Sequence, residues 1–103
     1  MYLLLRDEKI EEFNALHKEG EKCDLAGLDF RGLDLRGIET DVIDFSNAYF
    51  RQANLAGLNL TSCNLEGASI GGANISGTYF PKELSSDEIM MSLNTGTRMR
   101  YGT

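Results

Sequence analysis

From residue 23 to residue 82, apolar side chains recur with a period of five. Divided as CDLAG, LDFRG, LDLRG, IETDV, IDFSN, AYFRQ, ANLAG, LNLTS, CNLEG, ASIGG, ANISG and TYFPK, the segment gives twelve units. Their third residues are Leu25, Phe30, Leu35, Thr40, Phe45, Phe50, Leu55, Leu60, Leu65, Ile70, Ile75 and Phe80. Eleven of the twelve are Leu, Ile or Phe. The first residue of each unit is also apolar except at Thr78, and the second is mostly Asp or Asn. In–out–in is the side-chain alternation of an extended segment. A strict five-residue period cannot stay on one face of an α-helix with 3.6 residues per turn. The fifth residue is Gly in seven units, which permits a bend at unusual dihedrals. Each unit is therefore predicted to be a very short strand followed by a corner. So short a strand cannot bury its own apolar face, but stacked successive turns of the chain can.

The flanks follow other rules. Residues 7–19 read as a helix, with Asp7 as cap, acids in the first turn and Gly20 as stop. Ile10, Phe13 and Leu16 lie three apart on one face. Tyr2–Leu5 reads as a short strand or arm. The helix is expected to cover the raw edge of the first turn; a docking helix for a partner is the other reading. At the far end, Pro81 cannot donate to a further ladder. Ser85 and Glu88 form the S-x-x-E capping box, with Leu84 and Ile89 as hydrophobic staple. The helix is expected from Ser86 to about Asn94, stopping near Gly96, with Ile89, Met90 and Leu93 inward. Residues 97–101 alternate and are expected to add a final strand.

The units ANLAG, CNLEG and ANISG resemble the motif of the pentapeptide-repeat proteins, and the resemblance covers residues 23–82. It implies an all-β solenoid: a right-handed four-sided parallel β-helix of about three coils, with an α-helix capping each end. Four units per coil place residues twenty apart in one column: Leu25–Phe45–Leu65, Phe30–Phe50–Ile70, Leu35–Leu55–Ile75 and Thr40–Leu60–Phe80. The chain then divides into 1–22 (arm and capping helix), 23–82 (twelve repeats) and 83–103 (capping helix and tail). Only the unit at 38–42 breaks the pattern, with Thr40 at its centre; the frame resumes at Ile43, so the coil either tolerates Thr40 or bulges there.

Composition adds limits. The 103 residues are 42% hydrophobic and 25% charged, the profile of one globular domain. No apolar run is long enough to span a bilayer, and Met1–Leu5 is too short for a signal peptide, so a cytoplasmic location is expected. Cys23 and Cys63 fall two coils apart in one column, about 10 Å, too far for a disulfide. They are read as buried inert thiols, against the alternative of a redox pair or half a metal site. His17 is the only histidine and falls in the predicted surface helix, so no Ser–His–Asp or Cys–His set is expected. No phosphate loop or metal-ligand spacing occurs. The chain is expected to be non-enzymatic and to need no cofactor or metal.

A net charge of −6 argues against direct binding of nucleic acid. The acids crowd the first half of the repeats. Asp24, Asp29, Asp34 and Asp44 make a candidate acidic face, against the alternative of solvation and side-chain–backbone bonds at the corners. Arg31 and Arg51 are twenty residues apart with Tyr49 beside them, and these three are the candidate partner contact, since Tyr and Arg are enriched at interfaces. Two functional readings remain. One is a structural or protein-interaction module, monomeric or weakly dimeric, whose partner is another protein. The other, implied by resemblance to relatives that protect DNA gyrase, is an acidic DNA mimic of a DNA-binding enzyme such as a type II topoisomerase.

Overall fold

The computed structural model describes residues 1–20 and 24–102. The chain between residues 24 and 82 returns over itself every twenty residues. Parallel bridges join Asp24, Asp44 and Asn64 in one column, Asp29, Tyr49 and Ser69 in a second, Asn54 with Asp34 and Asn74 in a third, and Asn59 with Tyr79 in a fourth. Three layers result, beginning near residues 24, 44 and 64. In the second column, Phe30 N–H donates to Tyr49 O at 2.7 Å and Tyr49 N–H to Leu28 O at 2.9 Å. The next layer repeats this, with Phe50 N–H on Ser69 O at 2.8 Å and Ser69 N–H on Ala48 O at 3.1 Å.

The expected right-handed four-sided parallel β-helix, an all-β fold built from strands, is overturned. Among the described residues there is no β-strand and no sheet, only isolated bridges and three short helices: α1 (Tyr2–Arg6), α2 (Ile10–Lys18) and α3 (Ser86–Thr95). The reason lies in the corners. Within each regular unit the centre's carbonyl accepts from the N–H three residues on, as in Leu28 N–H to Leu25 O and Ala53 N–H to Phe50 O. The residue before that donor takes a positive φ, 72° at Gly27 and 75° at Gly57, which a side chain disfavours. With a turn closed every five residues, one residue per unit is left in bridge register. Consecutive ladder rungs, which define a strand, never accumulate.

The side-chain alternation nonetheless builds the expected core. Leu25, Phe30, Leu35, Phe45, Phe50, Leu55, Leu60, Leu65 and Ile70 are buried. Phe30 and Phe50 stack with ring centroids 5.2 Å apart and planes 11° apart. Phe45 meets both edge-on, 5.7 Å from Phe30 and 5.2 Å from Phe50. Tyr2 closes the cluster against Phe30 at 5.4 Å.

Both ends are covered largely by side chains. Residues 2–6 form helix α1, not a strand or arm, because Leu5 is buried and the Tyr2 hydroxyl donates to Asp29 O at 2.6 Å. Asp7 therefore ends α1; it does not cap α2, whose first flanking residue is Lys9. From α2, the Asn14 amide donates to Gly37 O and accepts from Glu39 N–H, at 2.9 and 2.7 Å. His17 Nε2 donates to Asp41 O at 2.8 Å, since a carbonyl can only accept. The Glu8 carboxylate accepts from Asp34 N–H at 2.7 Å.

At the other end, Tyr101 and Ser92 hydroxyl oxygens accept from Leu65 and Ile70 N–H, at 2.7 and 3.0 Å. Met99 exchanges backbone bonds with Gly67 and Ala68, yet residues 97–101 form no strand. Helix α3 starts as expected, Ser85 Oγ accepting from Glu88 N–H at 3.1 Å. It ends at Gly96 with φ 75°, the left-handed stop that glycine permits. The Glu88 carboxylate turns to Arg100 N–H instead of closing the box. Met90 is half exposed, not inward; Ser92 is the fully buried residue of that helix.

Candidate functional site

The Asp and Asn residues at second positions share one local task. Each carboxylate or amide oxygen accepts from the N–H two residues on, a group the bridges leave without a partner. The pairs are Asp24 with Ala26, Asp29 with Arg31, Asp34 with Arg36 and Asp44 with Ser46, at 2.9 to 3.2 Å. Asn54, Asn59, Asn64 and Asn74 repeat the same clamp in the later units. The four aspartates of the candidate acidic face stand on three different bridge columns. Two of them are also engaged by arginine. Arg31 donates to both oxygens of Asp29, and Arg36 to both oxygens of Asp34, the two-point pairing that guanidinium and carboxylate geometry favours. The Arg31 hydrogen bonds hold the Asp29 carboxyl below its ordinary value, and Arg36 does the same to Asp34.

The candidate contact residues Arg31, Tyr49 and Arg51 do gather on the second column. The Asp29–Tyr49 bridge sets Arg31 and Arg51 in register, each two residues past its bridged neighbour. Both line an open depression of about 490 Å³, together with Arg6, Asp29, Gly32 and Gln52. Three guanidinium groups thus face a single carboxylate, and Arg31 already occupies it. Arg6 and Arg51 make no hydrogen bond or ion pair with a described side chain. Arg51 and Gln52 also line a neighbouring cleft of about 240 Å³ bounded by Gly71, Gly72 and residues 93–96. A Cβ on Gly71 would stand 3.1 Å from Gly96 Cα, so any side chain there would push the end of α3 back by a few tenths of an ångström.

Tyr49 is not a bare aromatic. The Arg98 guanidinium lies 4.9 Å from its ring centroid, within reach of a cation–π contact. It donates to the Tyr49 hydroxyl, and also to Gly67 O. Sequence reasoning missed Arg6, Gln52 and Arg98. The five-residue period could have placed Gln52 on this face, as the corner after Arg51. Arg6 and Arg98 lie outside the period, and only the folding-back of α1 and the tail brings them here.

A second depression, about 460 Å³, is lined by His17, Lys18, Glu39 and Asp41, beside the irregular unit. There the ladder fails: Glu39 has no bridge, and the Thr40 hydroxyl, not its N–H, donates to Asn59 O at 2.5 Å. Thr40 O accepts from Cys63 Sγ at 2.9 Å, where regular units close a turn. Cys63 is free and buried, and desolvation pushes its thiol up to about 11, because burial penalises the charged thiolate. Cys23 lies outside the described residues, and with it the expected separation of the two thiols.

The chain's place among known proteins follows from the repeats. Residues 43–80 match the model of the pentapeptide repeats family in eight copies. No curated protein and no solved structure matched the chain. Among the described residues, no helix is long and apolar enough to cross a membrane.

Proposed function

We propose that this pentapeptide-repeat chain is a non-enzymatic interaction module that acts in the cytoplasm and meets a partner protein through its arginine face. One observation carries the reading: Arg6, Arg31 and Arg51 converge on one open depression of a chain whose net charge is −6. A local charge so unlike the whole steers partners of opposite sign and orients their approach. Guanidinium groups bind planar oxyanions bidentately but transfer no protons near neutral pH, so this surface suits recognition and not general acid–base work. The clamping role of Asp24, Asp29, Asp34 and Asp44, spread over three columns, supports an interaction face made of arginine in preference to one made of these acids.

Site-directed photo-cross-linking in native cell extract tests the proposal. A photo-reactive residue at Gln52, inside the arginine face, is expected to trap one defined protein. The same residue at Tyr79, exposed on the fourth column, is expected not to trap it. Equal capture at both positions, or none at either, sinks the reading.

A further inference from the structure

We infer that the occupant of this face is an acidic segment of the partner, a short peptide stretch rich in Glu or Asp whose carboxylates pair with Arg6 and Arg51. The inference rests on the module reading and adds the chemistry of the partner. Four observations bear on it. The depression is lined by three arginines and one aspartate. The aspartate is consumed: Arg31 holds it through both of its oxygens, and the same contact keeps it ionised, as its lowered pKa requires. Arg6 and Arg51 form no ion pair with a described carboxylate, so the lining holds three positive side chains against one negative. Finally, the other two lining residues, Gly32 and Gln52, add no charge of either sign.

The adjoining cleft narrows the fit. It ends against the C-terminus of α3, which carries a partial negative charge and whose Ser92 and Leu93 carbonyls already accept from Gly96 and Gly72 N–H. Arg51 lies between the two, its guanidinium 3.4 Å from the place where a Cβ would stand on Gly96. Carboxylates are therefore favoured on the Arg6 side of Arg51. The α3 side suits backbone N–H donors, which the carbonyls of its last two residues, Asn94 and Thr95, can accept. An extended acidic peptide supplies both kinds of group along its length. A bare inorganic anion supplies only the first.

The test uses the whole chain and a fluorescein-labelled hexaglutamate, read by anisotropy at low ionic strength. Because the protein is itself acidic, mean charge alone predicts repulsion, and saturable binding requires a local basic site. Submillimolar binding is expected, lost by about 0.5 M salt. Arg6→Ser with Arg51→Ser is expected to weaken it at least tenfold. Arg36→Ser, which removes the arginine paired with Asp34 on the third column, is expected to change it less than twofold. Should the double variant fail to fold, Gln52→Glu places a negative charge between the arginines without removing them, and a loss of similar size is expected. No binding at millimolar peptide, or equal binding by wild type, the double variant and Gln52→Glu, overturns the inference. Displacement of the peptide by an equal concentration of inorganic phosphate overturns it too, since the site then recognises any oxyanion. A protein cross-linked through Gln52 while hexaglutamate fails to bind removes the acidic class alone. Hexaglutamate binding without any cross-linked protein removes the module reading and leaves the site.

Discussion

Val42 is held at φ 52°, in the left-handed region, at a corner where seven other units use glycine. Its side chain is 73% exposed, so it contributes almost nothing to the core. Its N–H donates to Ser62 Oγ at 3.2 Å, a bond any residue at the position keeps. Replacing it with glycine therefore isolates the backbone. An L-residue in this region costs about 1–2 kcal/mol, and a β-branched one stands at the upper end. Glycine gives back part of that, about 0.5–1 kcal/mol, through the freedom of the unfolded chain. The net expectation for Val42→Gly is a stabilisation of about 0.5–1 kcal/mol, or about 4 °C in Tm for a chain of this size. Val42→Ala keeps the positive φ and is expected to recover only a small part. Urea unfolding followed by circular dichroism measures both, with equal slopes certifying that only the midpoint has moved. If Val42→Gly is no more stable than wild type, the corner is not strained and the account of the irregular unit is wrong.

Two further outcomes follow from the core. Phe50→Ala removes one fully buried ring of the four-ring cluster and is expected to cost about 3–5 kcal/mol, a large share of the stability of a single domain; a double-mutant cycle of Phe30→Leu with Phe50→Leu should return a coupling of about 0.5–1.5 kcal/mol, and a cost under about 1 kcal/mol for the alanine variant would refute the packing. In a Cys23→Ala background, Cys63 should react slowly with a thiol reagent until the chain unfolds. Its thiol titrates at about 11 when folded against 9.0 ordinarily, so the neutral form is favoured in the fold. That stabilisation is complete below about pH 9 and is lost as the pH rises towards about 11. The loss is about 2 kcal/mol by linkage. Tyr101, raised by its own burial, adds loss in the same direction at high pH, so the readout is the difference between this background and the same chain with Cys63→Ala.

The inward positions were legible because burial dictates them, an apolar side chain every five residues; the stacking of residues twenty apart came from the resemblance to the pentapeptide repeats, which implies four units per coil. The absence of strands was not legible, because alternation reports which way side chains point and not how many successive rungs the backbone makes. Tyr2–Leu5 looked extended, since a five-residue helix without side-chain caps leaves no periodicity to read; its order comes from Leu5 and the Tyr2 hydroxyl meeting the first layer. The same limit hid half of the arginine face. Arg31 and Arg51 were visible through their spacing, whereas Arg6 and Arg98 arrive by tertiary docking. The aspartates drew attention as charge, while their oxygens act chiefly as local acceptors, a role the neutral Asn residues fill equally well in the later units.

Because the columns return every twenty residues, the natural quantum of growth or loss for this molecule is twenty residues. Duplicating the middle layer, residues 44–63, restores every column in phase and keeps beneath the tail the Tyr49 hydroxyl that Arg98 meets now. Inserting a single unit of five rotates everything after it by one column. Between residues 30 and 50 it would misalign the Phe30–Phe50 stack; after residue 70 it would turn Met99 and Ser92 away from Gly67, Ala68 and Ile70. A sequence of this kind can therefore repeat in fives while lengthening in twenties, and its descendants should differ in length by steps of twenty.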